Sequence, residues 1–117
     1  MAKIERELYG DFDMILNAVT NAVMGGSMSA SVEETSDFYE NGARCAVRVF
    51  ERYSYVGKNR LSMSVTLFQA NGRIFISAVT TGGSQALFMK INTFGERAFL
   101  DTVRDTIDAF SYGGGYR

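Results

Sequence analysis

The sequence predicts an α+β protein in the order β-α-β-β-β-β-β-α, with both helices packed on one face of an antiparallel sheet. Three observations support this class. First, five segments after residue 26 alternate apolar and polar side chains with the period of a half-buried strand. Second, turn dipeptides separate several of these segments: Asn41-Gly42, Asn71-Gly72 and Gly82-Gly83. Third, two other segments repeat apolar residues at helical spacing.

The first helix is predicted to follow a short strand at residues 3–9. Asp11 is a suitable N-cap, because its carboxylate can accept hydrogen bonds from the free N–H groups of the first helical turn. The apolar residues that follow share one helical stripe: Phe12, Ile15, Leu16, Val19 and Val23. Gly25-Gly26 is expected to end this helix, since glycine adopts the left-handed conformation without a steric penalty.

The strand pairing decides which side chains face the helices. The longest strand is predicted at residues 43–55, and a three-residue turn at 57–59 joins it to a strand at 60–69. This pairing places Glu51 beside Val65, on the face that the helices cover. The next turn pairs Leu67 with Ile76, and a hairpin about Gly82-Gly83 then leads into a last strand at residues 84–91.

The final helix is predicted to begin at a capping box in residues 93–96, Thr-Phe-Gly-Glu. Its apolar stripe consists of Phe99, Val103, Ile107 and Phe110. We therefore expect residues 1–112 to form one domain and the glycine-rich residues 113–117 to form a flexible tail.

Composition argues against several classes of function. The chain has no histidine and one cysteine, Cys45, so we expect no metal site, no cofactor and no histidine-based catalysis. No apolar run is long enough to span a membrane, and we expect a cytoplasmic protein. Residues 1–41 carry two cations against eight acids, whereas residues 42–92 carry seven cations against one acid. We expect these opposite charges to compensate each other within the molecule.

Three segments carry a resemblance to a known family: ERYS at 51–54, TGGSQA at 81–86 and KINTFGE at 90–96. They are similar to segments of a family of short, single-domain bacterial proteins that is classed only as a domain of unknown function. The likeness spans nearly the whole chain and implies a bacterial cytosolic protein, but it brings no activity and no site residues. The element order also resembles a reduced helix-grip fold of the START or Bet v1 type, in which a long C-terminal helix crosses a curved antiparallel sheet.

The helix-facing side of the sheet is one candidate site. A carboxylate among apolar neighbours suits a general acid or a group that anchors a ligand, and Glu51 is predicted to be one. With Tyr53, Thr80 and Gln85 it would line a cavity for a mostly apolar small molecule. Two alternatives remain: a β-bulge near residues 50–52 turns Glu51 outward, or Glu51 bonds a tyrosine hydroxyl near the end of the sheet.

The opposite face of the sheet is the second candidate site. It is predicted to carry an aromatic and basic patch: Arg48, Phe50, Arg52, Phe68, Phe75 and Phe88. Aromatic residues with arginines are typical of protein–protein interfaces, so we expect copies of the chain to pack face to face about a two-fold axis. The alternative is a monomer in which the arginine stems cover the rings.

The same patch raises the question of nucleic acid, because aromatic and basic residues on a sheet can stack single-stranded bases. We do not expect this partner, since the isoelectric point is about 5.4 and lysine is scarce. The first functional hypothesis is therefore a non-catalytic binding or assembly module that forms homo-oligomers. The alternative is a small-molecule-binding or enzymatic helix-grip-like domain with its cavity around Glu51.

Overall fold

The computed structural model describes residues 1–54, 59–82 and 89–113. At residues 89–94 and 112–113 the description covers the backbone alone. The described elements are, in order, β1 (Ala2–Leu8), α1 (Phe12–Gly25), β2 (Ser31–Glu40), β3 (Ala43–Ser54), β4 (Asn59–Ala70), β5 (Arg73–Gly82) and α2 (Met89–Gly113). Five strands form one sheet in the order β1-β5-β4-β3-β2, and every neighbouring pair is antiparallel. The predicted α+β class, with an antiparallel sheet and two helices, is confirmed.

The last predicted strand, at residues 84–91, is the exception. Its final three residues belong to α2, and residues 83–88 lie outside the described part of the chain. β1 occupies the position beside β5, where Ile4 pairs with Ala78 and Leu8 with Ile74. A short apolar run does not distinguish a strand from a helix by its periodicity alone, which is why the assignment of residues 89–91 was wrong.

The start of α1 agrees with the prediction. The N–H of Met14 donates to Oδ2 of Asp11 at 3.0 Å, and Asp11 has the extended backbone of an N-cap. All five residues of the predicted stripe are buried. The helix ends at the predicted glycines, but the predicted left-handed conformation is wrong, because Gly26 has a right-handed φ of −83°. A Cβ at Gly26 would lie 2.8 Å from Cγ2 of Thr102 on α2, so close packing between the helices requires glycine here.

Two of the predicted hairpin turns are confirmed. Asn41-Gly42 joins β2 to β3 with φ values of 49° and 82°, and Asn71-Gly72 joins β4 to β5 with φ values of 54° and 76°. Positive φ at both central residues is the geometry of a type I′ turn, which asparagine and glycine tolerate best. The turn at Asn71-Gly72 produces the predicted pairing of Leu67 with Ile76.

The side chains of β3 face the opposite sides of the sheet from those predicted, although the direction of the strand is as predicted. Ser54 pairs with Asn59, which belongs to β4, and residues 57–58 of the predicted turn lie outside the described part of the chain. Because side chains alternate along a strand, this change of register inverts the two faces of β3. The even-numbered Phe50 faces the helices and is 0% exposed. Glu51 pairs with Ser62 instead of Val65 and points away from the helices.

Both helices lie on one face of the sheet, as predicted. α2 packs across β1, β5 and β4, and α1 packs against α2 and β4. Their stripes meet the inward side chains of the strands to form one core, whose largest fully buried members include Phe50, Phe99, Leu61, Met63 and Leu67. α2 already includes Met89, so the predicted capping box at 93–96 lies inside the helix. The helix extends through Gly113, and residues 114–117 of the predicted tail lie outside the description.

Candidate functional site

The face of the sheet opposite the helices, called the outer face below, is not covered by any described part of the chain. The strand register arranges its side chains in rows across the five strands. One row reads Glu7, Phe75, Phe68, Cys45 and Phe38 from β1 to β2. The next two rows read Glu5, Ser77, Thr66, Val47, Ser36 and Lys3, Val79, Ser64, Val49, Glu34. Most apolar side chains of these rows therefore lie on the inner strands, among Ser64, Thr66 and Ser77, while the charged side chains lie on the two edge strands.

Phe68 lies between two hollows on this face. The large hollow, about 410 Å³, extends toward β1 and is lined by outer-face side chains that include Glu5, Glu7, Phe75 and Ser77. The small hollow, about 150 Å³, extends toward β2 and is lined by Phe38, Cys45 and Arg44 among others. Phe68 contributes to both and is 41% exposed, so its ring separates the two depressions. An exposed aromatic side chain beside open hollows forms a surface to which another molecule can bind.

Ion pairs fix two arginines on the outer face. Arg73 donates from Nε and Nη2 to the two carboxylate oxygens of Glu7, each at 3.0 Å, and its guanidinium lies 4.9 Å from the ring centre of Phe75. Hydrogen bonding from Arg73 lowers the pKa of the Glu7 carboxyl below its ordinary value. Arg60 donates from Nε to Oε1 of Glu51 at 2.9 Å. These charges are paired within the chain, Arg73 beside the ring of Phe75 and Arg60 toward the other end of β4.

The residues of the predicted patch do not all share one face. Phe68 and Phe75 lie on the outer face as predicted, whereas Phe88 is outside the described residues. The predicted placement of Arg48, Phe50 and Arg52 on this face is wrong, because the register of β3 turns all three toward the helices. Arg48 pairs there with Asp37 at 3.1 Å, and the guanidinium of Arg52 lies 4.8 Å from the ring centre of Phe99. Burial lowers the pKa of Arg52.

The residues of the predicted ligand cavity are dispersed. Glu51 and Tyr53 lie on the outer face because of the register of β3, and Gln85 lies outside the described residues. Only Thr80 faces the helices, where it is fully buried and its hydroxyl donates to the carbonyl oxygen of Glu96 at 3.0 Å. The predicted grouping of Glu51 with Thr80 on one face is therefore wrong.

Among the residues whose side chains the structure describes, the buried carboxylate is Glu96, the last residue of the predicted capping box. Glu96 is 5% exposed, and its Oε1 accepts a hydrogen bond from the amino group of Met1. Its spacing from Phe99, Leu100 and Val103 places it on the apolar stripe of α2, and that spacing was a signal for burial. Because Glu96 is ion-paired and Thr80 donates to its backbone, both groups have structural partners.

The described part of the chain shows neither a cluster of metal ligands nor a membrane-spanning helix. Over residues 1–54, 59–82 and 89–113, no three histidine, cysteine or acidic side chains are grouped as a metal ion would require. In that same part of the chain neither helix is both long enough and apolar enough to cross a membrane.

Comparison with known families gives one match. The sequence matches the family model of DUF6054, described as a family of unknown function, over residues 1–111. The chain belongs to DUF6054. No curated protein matches the sequence. Membership in DUF6054 confirms the resemblance to a family of unknown function that three sequence segments indicated, and it assigns no activity to any residue.

Proposed function

We propose that this DUF6054 member is a non-catalytic assembly module of the bacterial cytoplasm that forms homo-oligomers through its outer face. The observation that carries the proposal is the uncovered position of Phe68 between two hollows, beside Phe75 and in the same row as Phe38. An uncovered apolar face of this kind usually marks an interaction site. The single cysteine suits a reducing compartment, where disulfides are rare.

The size of the outer face is suited to a second copy of the chain. Strands about 4.8 Å apart and roughly ten residues long give five strands a face of roughly 24 Å by 33 Å, or about 800 Å². A stable protein–protein interface buries about 800 Å² on each partner. The distribution of side chains agrees with this use, because interfaces have an apolar centre and a polar rim.

The β2 edge of the sheet is unsuited to association, which favours association through the outer face. The free edge strand β2 carries Glu33, Glu34, Asp37 and Glu40, and its pairing with β3 is interrupted by a bulge between Val32 and Glu34. Charges and bulges on an edge strand oppose the addition of further strands. Two copies joined at β2 would also place carboxylates close to carboxylates.

A catalytic role has less support. The polar side chains proposed for a cavity lie on different faces, and Glu51 is paired with Arg60 instead of facing the core. The alternative of a ligand-binding domain built around Glu51 therefore has no geometric basis among the described residues.

The mass of the protein in solution tests the proposal. We expect light scattering over a concentration series to give at least twice the monomer mass of 12.9 kDa for the unmodified chain. Phe68→Asp places a charge at the centre of the proposed interface and is expected to yield the monomer. Met14→Asp is the matched control, because Met14 is 61% exposed on α1, and this variant is expected to keep the oligomer. A monomeric unmodified protein at high concentration would contradict the proposal.

A further inference from the structure

One row of the outer face has a self-complementary pattern. From β1 to β2 it reads Lys3, Val79, Ser64, Val49 and Glu34. Ser64 of β4 lies in the middle, a valine lies on each side of it, and the two ends carry opposite charges. When such a row is reversed and laid on itself, each valine meets a valine and each end meets its opposite charge.

We infer that two copies pack outer face to outer face about a two-fold axis along β4, which brings Lys3 of each copy opposite Glu34 of the other. The inference rests on the proposed function, since it specifies how the two faces meet. Rotation about an axis along β4 keeps every row in place and reverses the order of the strands. β1 then faces the partner's β2, and β5 faces the partner's β3.

The two charged residues are available for this contact. The Lys3 ammonium is 3.6 Å from Glu5, a long contact in which both side chains are more than half exposed. Glu34 is exposed, and within the described part of the chain it makes no ion pair. A weak pair on one side and an unpaired carboxylate on the other leave both groups free to bind across an interface.

The twist of the sheets remains compatible with the contact. Aligned sheets pack at about 30° to each other, so the match between rows is closest near the axis. The edge strands lie two strand spacings from β4, or about 10 Å, and a 30° rotation displaces them by about 5 Å along the strand. The extended side chains of lysine and glutamate together span such a displacement.

The neighbouring aromatic row agrees with the same axis. Phe68 is in β4, so its ring approaches the partner's Phe68 near the axis. Phe75 in β5 then faces the partner's Cys45 in β3, which lines the small hollow of about 150 Å³. The hollow therefore receives an aromatic ring from the other copy.

The other simple arrangement, with the axis across the strands, is less favourable. It lays β1 on the partner's β1, and with the axis through the row of Thr66 it opposes Glu5 to the partner's Glu5. It also brings Lys3 opposite the partner's Glu7, but both oxygens of that carboxylate already accept hydrogen bonds from Arg73. Like charges placed directly opposite each other are destabilising. The opposite charges at the ends of the row that contains Ser64 thus favour the axis along β4.

Charge exchange between the two positions tests the inference. Lys3→Glu and Glu34→Lys each replace two attractive contacts by two repulsive ones, and we expect the dissociation constant of the dimer to rise about tenfold to hundredfold. An equimolar mixture of the two single variants restores both ion pairs in the mixed dimer, as does the double variant in its own dimer. Both are expected to return within about threefold of the original affinity, measured by sedimentation at low salt.

A matched control uses the other end of β2. Glu40→Lys also reverses a carboxylate on this strand, but it lies six residues from Glu34 and should not restore dimerisation of Lys3→Glu. Circular dichroism checks that each variant keeps its fold.

Three results would overturn the inference. A dimer that is insensitive to both single reversals, or one in which Lys3→Glu is restored by Glu7→Lys and not by Glu34→Lys, rejects the axis along β4 and leaves the proposed function standing. An unmodified protein that is monomeric at all concentrations rejects the proposed function and this arrangement together.

Discussion

Arg44 of β3 donates from Nη2 to Oδ1 of Asp13, the second residue of α1, at 2.7 Å. The same guanidinium lies 4.1 Å from the ring centre of Phe12 and 4.9 Å from that of Tyr39. One side chain thus connects the first turn of α1 to two strands, β3 and β2. Since α1 packs otherwise against α2 and β4, this contact ties its first turn to β3 as well.

Replacement of Arg44 is expected to weaken the fold. Arg44→Ala removes the cation–π contact with Phe12 and the packing of the side-chain stem, and we expect a loss of about 1–2 kcal/mol in the free energy of unfolding. Arg44→Lys keeps the charge but not the planar guanidinium, so it should cost less than the alanine variant. Urea unfolding measures both, and a cost for Arg44→Ala no greater than that for Arg44→Lys would contradict the assigned role of the stem and the guanidinium plane.

Acid is expected to destabilise the protein partly through two surface carboxylates. Hydrogen bonds from Arg44 and Arg73 hold the pKa values of Asp13 and Glu7 below their ordinary values. The folded state therefore binds fewer protons than the unfolded state as the pH falls below about 4. The stabilising effect is fully present above that range and is lost as the pH falls through the lowered folded-state values.

The urea midpoint measured from pH 7 to pH 3 checks this expectation. Asp13→Asn and Glu7→Gln should each make the loss of stability in acid less steep, because each removes one linked proton. Glu40→Gln is the control, since Glu40 is exposed and makes no ion pair within the described residues. Equal slopes for all three variants and the unmodified chain would show that the two pairs do not contribute.

The buried hydroxyl of Thr80 is expected to stabilise the packing of α2 against β5. Thr80→Val keeps the shape of the side chain but removes the donor to the carbonyl of Glu96, and we expect a cost of about 1–2 kcal/mol in unfolding free energy. Thr35→Val is the matched control, because Thr35 is exposed in β2. If the two valine variants are equally stable, the Thr80 hydrogen bond adds nothing to the net stability.

The sequence was sufficient for those parts of the fold in which local signals agree. Asp11 has the geometry of an N-cap, and the Asn-Gly dipeptides form the predicted turns because their φ preferences fit few other structures. The register across Asn71-Gly72 follows directly from that turn, which places Leu67 beside Ile76. Where the turn fixes the register, the face of each side chain follows.

The candidate site was predicted less well because β3 has apolar residues on both faces. Its odd-numbered residues include Cys45, Val47 and Val49, whereas its even-numbered residues include Ala46 and the bulky Phe50. The hydrophobic pattern therefore does not select one orientation, and the length of the connection over residues 55–58 decides it. Because the predicted register across that connection was wrong, the prediction placed Glu51 on the helix-facing side and Phe50 on the outer face, the reverse of the observed arrangement.

Two adjacent glycines at the end of α1 allow a sharp test of the packing between the helices. A Cβ at Gly26 would lie 2.8 Å from Cγ2 of Thr102, whereas a Cβ at Gly25 has no neighbour within 4 Å. We expect Gly26→Ala to cost about 1–3 kcal/mol in unfolding free energy through overpacking. Gly25→Ala should be neutral or stabilise by up to about 1 kcal/mol, since alanine favours the helix and Gly25 has no positive φ.

A second substitution identifies the clashing atom. Thr102→Ser removes Cγ2 and keeps the hydroxyl that donates to the carbonyl of Phe99 at 2.7 Å. Combined with Gly26→Ala it should recover much of the lost stability, although Thr102→Ser alone is expected to be slightly destabilising. Chemical unfolding of the unmodified chain, the two single variants and the double variant gives the coupling energy between the two positions. Strict additivity of Gly26→Ala and Thr102→Ser would contradict the assignment of the clash to Cγ2, and would leave Cβ of Thr102, 3.0 Å from the added Cβ, as the atom on α2 that resists the substitution.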